Sequence, residues 1–599
     1  MHFMHNFLSF IKKFSIPSKK DLLISYKSFS KKELMIFIVS LVIATISLLI
    51  ILIKVNNYFM VTVPANGGSI TEGIIGIPTL INPVLAVSDA DKDLTSIIYS
   101  GLMRKTKDGT LIPDIAEEYP VSPNGLEYTF KIRNDAKFHD GVKITADDII
   151  FTIEKIKDPL IKSPKKSEWD AISVEKIDNN TVVFKMKQPN ISFINNTTIG
   201  ILPFHAWKNI TVPEFSLSAL NNTKAIGSGP YKIESVSKNK DNVPEKYMMK
   251  RFNSFTLGKP HIKYLNVITF ANEKDLIKAL TSRSIDQASG ISPQNAKKAE
   301  NSKYTVHTTT LPRMFGLFFN KNKIFEDKNV IQAINKAIDK QDIVNQVLEG
   351  YGSIINNPIP EIIFKDAENE NNFSLEEANS ILEKAGWVLG EDGIRQKGGL
   401  SSITKTKKVG KKTVTEKVTV DNGPIIKLAF SITTGDTPEL KKSIEIIKNQ
   451  LLRIGVQVEA KIYETGQLNR LIKERDYESL FFGQIINHGY DLYSFWHSSQ
   501  KNYPGNNISM YENKKIDTIL EEIRKTSDKV ILDNKYRDFV NEFNKDLPAL
   551  FIYSPKHLYA TSKSLINISL DTINTPSDRF ISIYDWYASI DHVWKIFTK

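Results

Sequence analysis

The sequence predicts a mixed α/β protein of two or three domains, carried behind one membrane-spanning helix. Three observations lead there. At 599 residues the chain exceeds what a single hydrophobic core supports. Leu34–Ile53 runs without a charge, long enough for a helix to cross a bilayer core. Between Ile426 and Ile462 a strand pattern, a helix pattern and a second strand pattern follow one another, which makes a βαβ unit with a right-handed crossover.

Taken in chain order, the N-terminal tail comes first. Lysines 12, 13, 19, 20, 27, 31 and 32 face only Asp21 and Glu33, so the positive-inside bias predicts residues 1–33 in the cytoplasm and the large domain outside. A cleaved signal peptide is the alternative. Its apolar region usually runs roughly 7–15 residues and ends at a small-x-small site. Here the run is longer, and VNNYFMVTVPANGG offers no clear A-x-A, so 34–53 is expected to remain as an anchor. The chain has no cysteine, which excludes disulfides, thiolate metal sites and an acylated cysteine anchor.

In Tyr128–Arg133, Tyr128, Phe130 and Ile132 alternate with polar residues, the period of a half-buried strand. Asp140-Gly141 is a turn pair. Thr145 and Asp148 form a capping box, and Ile149, Ile150, Ile153 and Ile156 supply apolar positions of the helix that follows. Val174–Lys187 reads as a hairpin turning at Asn179-Asn180. Asn329–Gly350 reads as two helices, the second capped by Asp339. Ile426–Ile432 reads as a strand, followed by a helix with Pro438 near its start. That helix carries Ile444, Ile447, Leu451 and Ile454 on one stripe, stops at Gly455 and leads into the strand Val456–Ile462.

Composition narrows the function. The N-terminal segment accounts for five of the twelve net positive charges, and the rest are spread over the remainder. That is a solvated surface and not a nucleic-acid footprint. The densest basic run, Lys405–Lys417, reads as a lysine-rich surface hairpin within an insertion at 398–422. His139-Asp140 lies in a tight turn where neighbouring side chains diverge. There is no H-E-x-x-H pair and no G-x-S-x-G elbow. Val409–Thr413 (VGKKT) lacks the leading glycine of a phosphate-binding loop, and Gly227–Tyr231 (GSGPY) lacks dinucleotide spacing. A non-enzyme without cofactor or metal is the expectation.

The stretch TFKIRNDAKFHDGVKITADDIIFT resembles the signature of the family-5 solute-binding proteins of ABC importers. Gly67–Val84 is similar to that family's opening strand, and Ile97–Gly125 to its next block. Gly200–Trp207, Gly227–Ile233, Asn329–Val344, Ser374–Trp387, Asn506–Asp528 and Asp546–Pro555 follow in family order. The resemblance implies a two-lobe periplasmic-binding-protein-like fold of the class II type with an extra inserted domain. Carried onto this chain, the first lobe is 60–105, 225–318 and 545–599, the inserted domain 106–224, and the second lobe 319–544.

It also implies where a ligand sits. Phe481–Trp496 is similar to the block where peptide-binding relatives carry a tryptophan and an amine-anchoring aspartate shortly before an Asp-Pro pair. Asp491 matches the later Asp, with Leu492 in place of Pro. The amine-anchoring position falls on His488, or on Asn487 if the register slips by one, and the tryptophan position falls on Ile485 or its neighbours. Neither His488 nor Asn487 carries a fixed negative charge. Tyr490 and Trp496 would add aromatic faces, with Trp496 equally readable as a packed core residue. Leu80, Ile81 and Asn82 would offer backbone groups to an extended ligand by the same resemblance. For Arg313 a surface ion pair is expected ahead of a ligand contact. The expected partners are a peptide or peptide-like solute, an ABC permease with separate ATPase subunits, and the membrane through Leu34–Ile53, with no nucleic acid. A sensor or interaction module without transport, or a receptor for oligosaccharides or glycopeptides, are the alternatives.

Overall fold

The computed structural model describes residues 18, 20, 24, 28–190, 193–320, 323–360, 364, 372–409, 412–421, 423–486, 492–503, 505–526, 528–571 and 573–598. The chain divides into two compact units, Asn66–Ala588 and the terminal segments on either side of it.

In the terminal unit the apolar run forms a 29-residue helix, Lys31–Phe59, longer at both ends than the charge-free stretch. Ser30 and Glu33 close a capping box at its start: Glu33 Oε2 accepts from the Ser30 N–H at 2.8 Å. None of its residues is buried in protein, so Ile36, Leu41, Ile43, Leu48 and Leu52 present their side chains outward all round. A helix apolar on every face needs an apolar surrounding. Met60–Pro64 follows directly as a strand, antiparallel to Ile590–Trp594, and the Trp594 indole N–H donates to Asn56 Oδ1 at 2.8 Å.

The large unit is organised on a twelve-stranded hydrogen-bonded network. Ala549–Ser562 is its central member and pairs in two directions. Its first half runs antiparallel to Arg313–Phe319 and Gly352–Ile354. Its second half pairs with Gln287–Ser289 and Tyr304–Thr310. On one side of it lies a parallel set, Gly67–Ile75 between Ile262–Phe270 and Gln287–Ser289. On the other, Ala429–Gly435 is parallel to both Gln457–Tyr463 and Ser479–Ile485. Hydrogen bonding places Arg313–Phe319 with this second set, beside Ser479–Ile485, although sequence similarity grouped residues up to 318 with the first.

Separate cores form on the two sides. One gathers Ile70, Leu94, Ile97, Phe130, Phe138, Ile149, Trp207 and Trp586; another gathers Leu317, Ile334, Val344, Ile432, Ile447 and Val458. Within 106–224, a four-stranded antiparallel sheet is built from Ala116–Glu118, Glu127–Ile132, Thr181–Met186 and Ile172–Asp178. The Asn179-Asn180 hairpin is present in it, with a bulge between Lys176 and Asp178.

The expected βαβ unit is present, with one difference. Ile426–Lys427 pairs with Arg395–Lys397 in a small separate sheet, and the core strand begins at Ala429. The switch comes at Leu428, whose N–H donates to the Arg395 carbonyl at 2.7 Å while its own carbonyl accepts from Gln457. Arg395 is itself buried, its guanidinium bonded to the carbonyls of Ile454 and Trp387, so it locks the entry to the strand. Gly455 takes φ +74°, the left-handed helix-stop conformation. Lys328–Ala337 and Lys340–Leu348 are the two predicted helices, with Asp339 Oδ1 accepting from Asp342 N–H at 3.1 Å. The lysine-rich insertion is a two-stranded ribbon, Leu400–Val409 against Lys412–Asp421.

Candidate functional site

In open sheets with parallel strands, ligands bind outside the carboxyl ends of the strands. Here those ends are Ile75, Phe270 and Ser289 on one side of the shared strand, and Gly435, Tyr463 and Ile485 on the other. The chain passes between the two sides at Leu311–Pro312 and again along Tyr553–Lys556. Ser554 ties the passages together, its hydroxyl donating to the Arg313 carbonyl at 2.8 Å. Ile75 and Ile485 are 38 % and 46 % exposed, unusual for apolar residues ending core strands.

Beyond Ile75 the chain turns through Leu80–Pro83. The Asp91 carboxylate accepts from the N–H groups of Thr79 and Leu80, both at 2.7 Å, and Ser88 caps the same helix that Asp91 occupies. Ile81 N–H donates to the Asn221 carbonyl at 2.6 Å, and Asn82 N–H to the Leu80 carbonyl. Ile81 and Asn82 are fully buried, and the Asn82 amide bonds Asn221 Oδ1 and Val84 N–H. The side chains and N–H groups of Leu80–Asn82 are therefore engaged in shaping the loop, with Leu80 half-buried.

Trp496 lies in the core behind Ser479–Ile485. It is 1 % exposed and packs edge-on against Phe543 at 4.7 Å and stacked with Phe318 at 6.3 Å. It is thus a packing residue and brings no face to solvent. Ile485, by contrast, closes the strand at the open end. Asn487, His488, Tyr490 and Asp491 lie outside the described residues.

Arg313 departs from expectation. It is the register partner of Ile485, and its guanidinium sits 4.8 Å from the centroid of the Phe315 ring. Among the described residues the expected surface ion pair is not formed. The signal that could have found it was its place one residue past Pro312, at the start of an apolar strand.

The His139-Asp140 turn is structural. His139 is buried, with Nε2 3.0 Å from the Gly229 carbonyl and Nδ1 accepting from Gly227 N–H at 3.3 Å. Burial pulls its pKa down to about 4, so the ring is neutral. Asp140 points elsewhere, to His205 at 2.7 Å. Gly227 and Gly229 have no room for a side chain: a Cβ would meet the carbonyl oxygens of Ile98 and Ile97 at 2.1 and 2.4 Å. A cavity of about 750 Å³ beside this turn is lined by His139, Lys224, Lys232, Lys250 and Phe252 among others. Lys250 is paired with Glu234 there. No group of three or more His, Asp or Glu side chains suited to a metal occurs among the described residues.

Residues 110–506 match the profile of the bacterial extracellular solute-binding proteins, family 5 (middle region). The oligopeptide-binding protein AppA of Bacillus subtilis is 27 % identical over 517 residues, covering 84 % of this chain and 89 % of its own length. The structure of that protein in complex with a nonapeptide superposes with a TM-score of 0.66 at 25 % identity, over 88 % of this chain and 100 % of the other. The dipeptide-binding protein of Escherichia coli is 22 % identical over 513 residues, covering 80 % of this chain and 87 % of its own.

Proposed function

Since the chain belongs to the family-5 bacterial extracellular solute-binding proteins, we propose that it is the membrane-anchored receptor of an ABC importer. In this reading it binds peptides or peptide-like solutes between the two strand sets and hands them to a permease driven by separate ATPase subunits. The lobes are the two strand sets with their helices, and 106–224 is the inserted domain. The observation that carries the reading is the pair of carboxyl ends, Ile75 with Ser289 and Gly435 with Ile485, on either side of the shared strand Ala549–Ser562, with the chain crossing between them at Leu311–Pro312 and Tyr553–Lys556. Two rigid bodies on such a joint close around a solute by hinge motion, and a ligand that touches both favours the closed population.

The tether in this reading is Lys31–Phe59, uncleaved, with the large unit outside the cell. Apolar side chains over the full circumference of a 29-residue helix suit lipid better than water. The solute stays in the opening through candidates Ile485, Asn487, His488, Tyr490 and Asp491, while Leu80, Ile81, Asn82 and Trp496 hold its walls in place.

The test is uptake. Cells lacking this protein should lose accumulation of labelled di- to nonapeptides, and regain it with the full chain. Restoration by a version without residues 1–59 would show that tethering is dispensable. Unaltered peptide uptake in the deletion strain would refute the transport role. The mass of the protein extracted from membranes checks the anchor, because cleavage removes residues before about 60 and shortens the chain by the whole helix.

A further inference from the structure

Arg313 stands where the ligand opening meets the crossing strands. It begins the strand Arg313–Phe319, directly opposite Ile485, the last residue of Ser479–Ile485. Among the described residues its guanidinium has no ion pair within 4.0 Å and no hydrogen bond, although it offers five N–H donors. The side chain is exposed to solvent. Yet enough protein surrounds it to lower its pKa from the ordinary arginine value, with burial the first cause and Tyr553, Asp89 and Glu439 opposing it.

The two carboxylates that it feels come from opposite sides of the opening. Asp89 starts the helix Asp89–Ile98, which follows Gly67–Ile75, and Glu439 lies in the first turn of Pro438–Leu452, which follows Ala429–Gly435. Neither closes on the guanidinium. Both sit at the positive ends of their helices, which already favour them without a cation.

The support beneath Arg313 is preformed. Phe315 lies two residues on along the same face, stacked on Tyr553 with centroids 5.1 Å apart. Across the sheet Phe315 faces Gly483, where an added Cβ would fall 2.8 Å from the ring. The missing side chain lets the ring lie over the neighbouring strand, and the ring carries the guanidinium at 4.8 Å. Tyr553 is held in turn by Ser443 at 3.1 Å. An arginine seated on aromatic rings keeps its fork free for a planar acceptor. In sequence, Ile485 is followed closely by Asn487 and His488, neither of which brings a fixed negative charge.

We infer that Arg313 is the anion-binding residue of the solute opening, and that the protein selects ligands presenting a carboxylate beside Ile485 in preference to ligands presenting only an ammonium group. The inference rests on the receptor reading above and names the charge of the solute which that site takes. A carboxylate would accept two parallel N–H bonds from the guanidinium, the arrangement that gives arginine its selectivity for planar acids.

The test uses the full chain in lipid nanodiscs and two N-acetylated random pentapeptide pools free of Asp and Glu. One pool ends in a free carboxylate and the other in an amide. The free-acid pool should bind roughly ten- to a hundredfold more tightly, the range expected for hydrogen bonds to a charged group. Arg313→Gln should abolish that preference, and Arg313→Lys should restore part of it. Equal binding of both pools by the wild type, or a preference that survives in Arg313→Gln, would overturn the role of Arg313 and leave the peptide-receptor reading intact. Failure of the wild type to bind either pool, or a pool of free-amine peptides run beside them, would overturn both.

Discussion

Replacing Arg579 with methionine should destabilise the large unit by about 3–5 kcal/mol. Arg579 lies in the short turn Pro576–Phe580 and is completely buried. Its Nε and Nη2 donate to Glu72 Oε1 at 3.0 and 2.9 Å, and Nη1 and Nη2 donate to Asp93 Oδ1 and Oδ2 at 2.8 and 2.6 Å. Nη1 also donates to the Pro576 carbonyl. Glu72 is on the central strand of the first parallel set and Asp93 on the helix after it, so one guanidinium pins the C-terminal segment to both. Removing it strands two carboxylates in a dry site. Among the described residues Glu72 would keep the Tyr559 hydroxyl, 2.9 Å away, as its remaining hydrogen-bond partner, and part of the cost would be met by protonating it. Burial already pushes its pKa up, against the pull of Arg579. Urea unfolding followed by tryptophan fluorescence, Trp586 being in the same core, would measure the loss. Arg579→Lys should fall between, since it keeps the charge and loses the fork. The triple variant Arg579→Met, Glu72→Leu, Asp93→Asn should recover most of the stability, because no unpaired full charge remains. A loss below about 1 kcal/mol for Arg579→Met would show that the cluster is wetter or looser than its geometry implies.

Three further outcomes follow from the same structure. His139 has a folded-state pKa near 4 against an ordinary value of 6.5, so its neutral form contributes stability that is complete above about 6.5 and lost as pH falls towards 4. On the order of 3 kcal/mol is at stake; the urea midpoint of wild type should fall more steeply across that window than that of His139→Gln, and parallel slopes would contradict it. Trp496→Ala should cost about 3–5 kcal/mol through the cavity it leaves, while peptide affinity of the folded fraction stays within twofold; a selective loss of affinity would return Trp496 to the ligand surface. Joining Gly399 to Gly423 through two glycines in place of the ribbon should shift the unfolding free energy by no more than about 0.5 kcal/mol, since the ribbon's strands pair with one another and the Gly399 N–H already reaches the Gly423 carbonyl at 2.7 Å.

Local structure was legible where a short-range rule decides it. The capping box at Thr145 and Asp148, the cap at Asp339, the stop at Gly455 and the ribbon in the insertion all depend on residues within a few positions of one another. The strand expected at Ile426–Ile432 broke at Leu428 because Arg395, some thirty positions earlier, captures the backbone there. No periodicity carries that information. Of the candidate site residues, Trp496 reads equally in sequence as an aromatic wall or a packed residue and is a core residue, while Ile485 ends its strand exposed. The strand Arg313–Phe319 hides its partner, since an apolar run does not say which sheet it joins. The buried cluster at Arg579 was invisible, because the arginine lies hundreds of residues beyond Glu72 and Asp93 and each of the three resembles an ordinary surface charge.

The most direct test of the receptor account is native mass spectrometry of the full chain released from nanodiscs, with identification of whatever small molecule leaves it. The account predicts a bound population of short peptides or peptide-like acids, displaced by added free-acid pentapeptides. A protein that carries only a sugar, or that stays empty against saturating peptide pools while remaining folded, would contradict it.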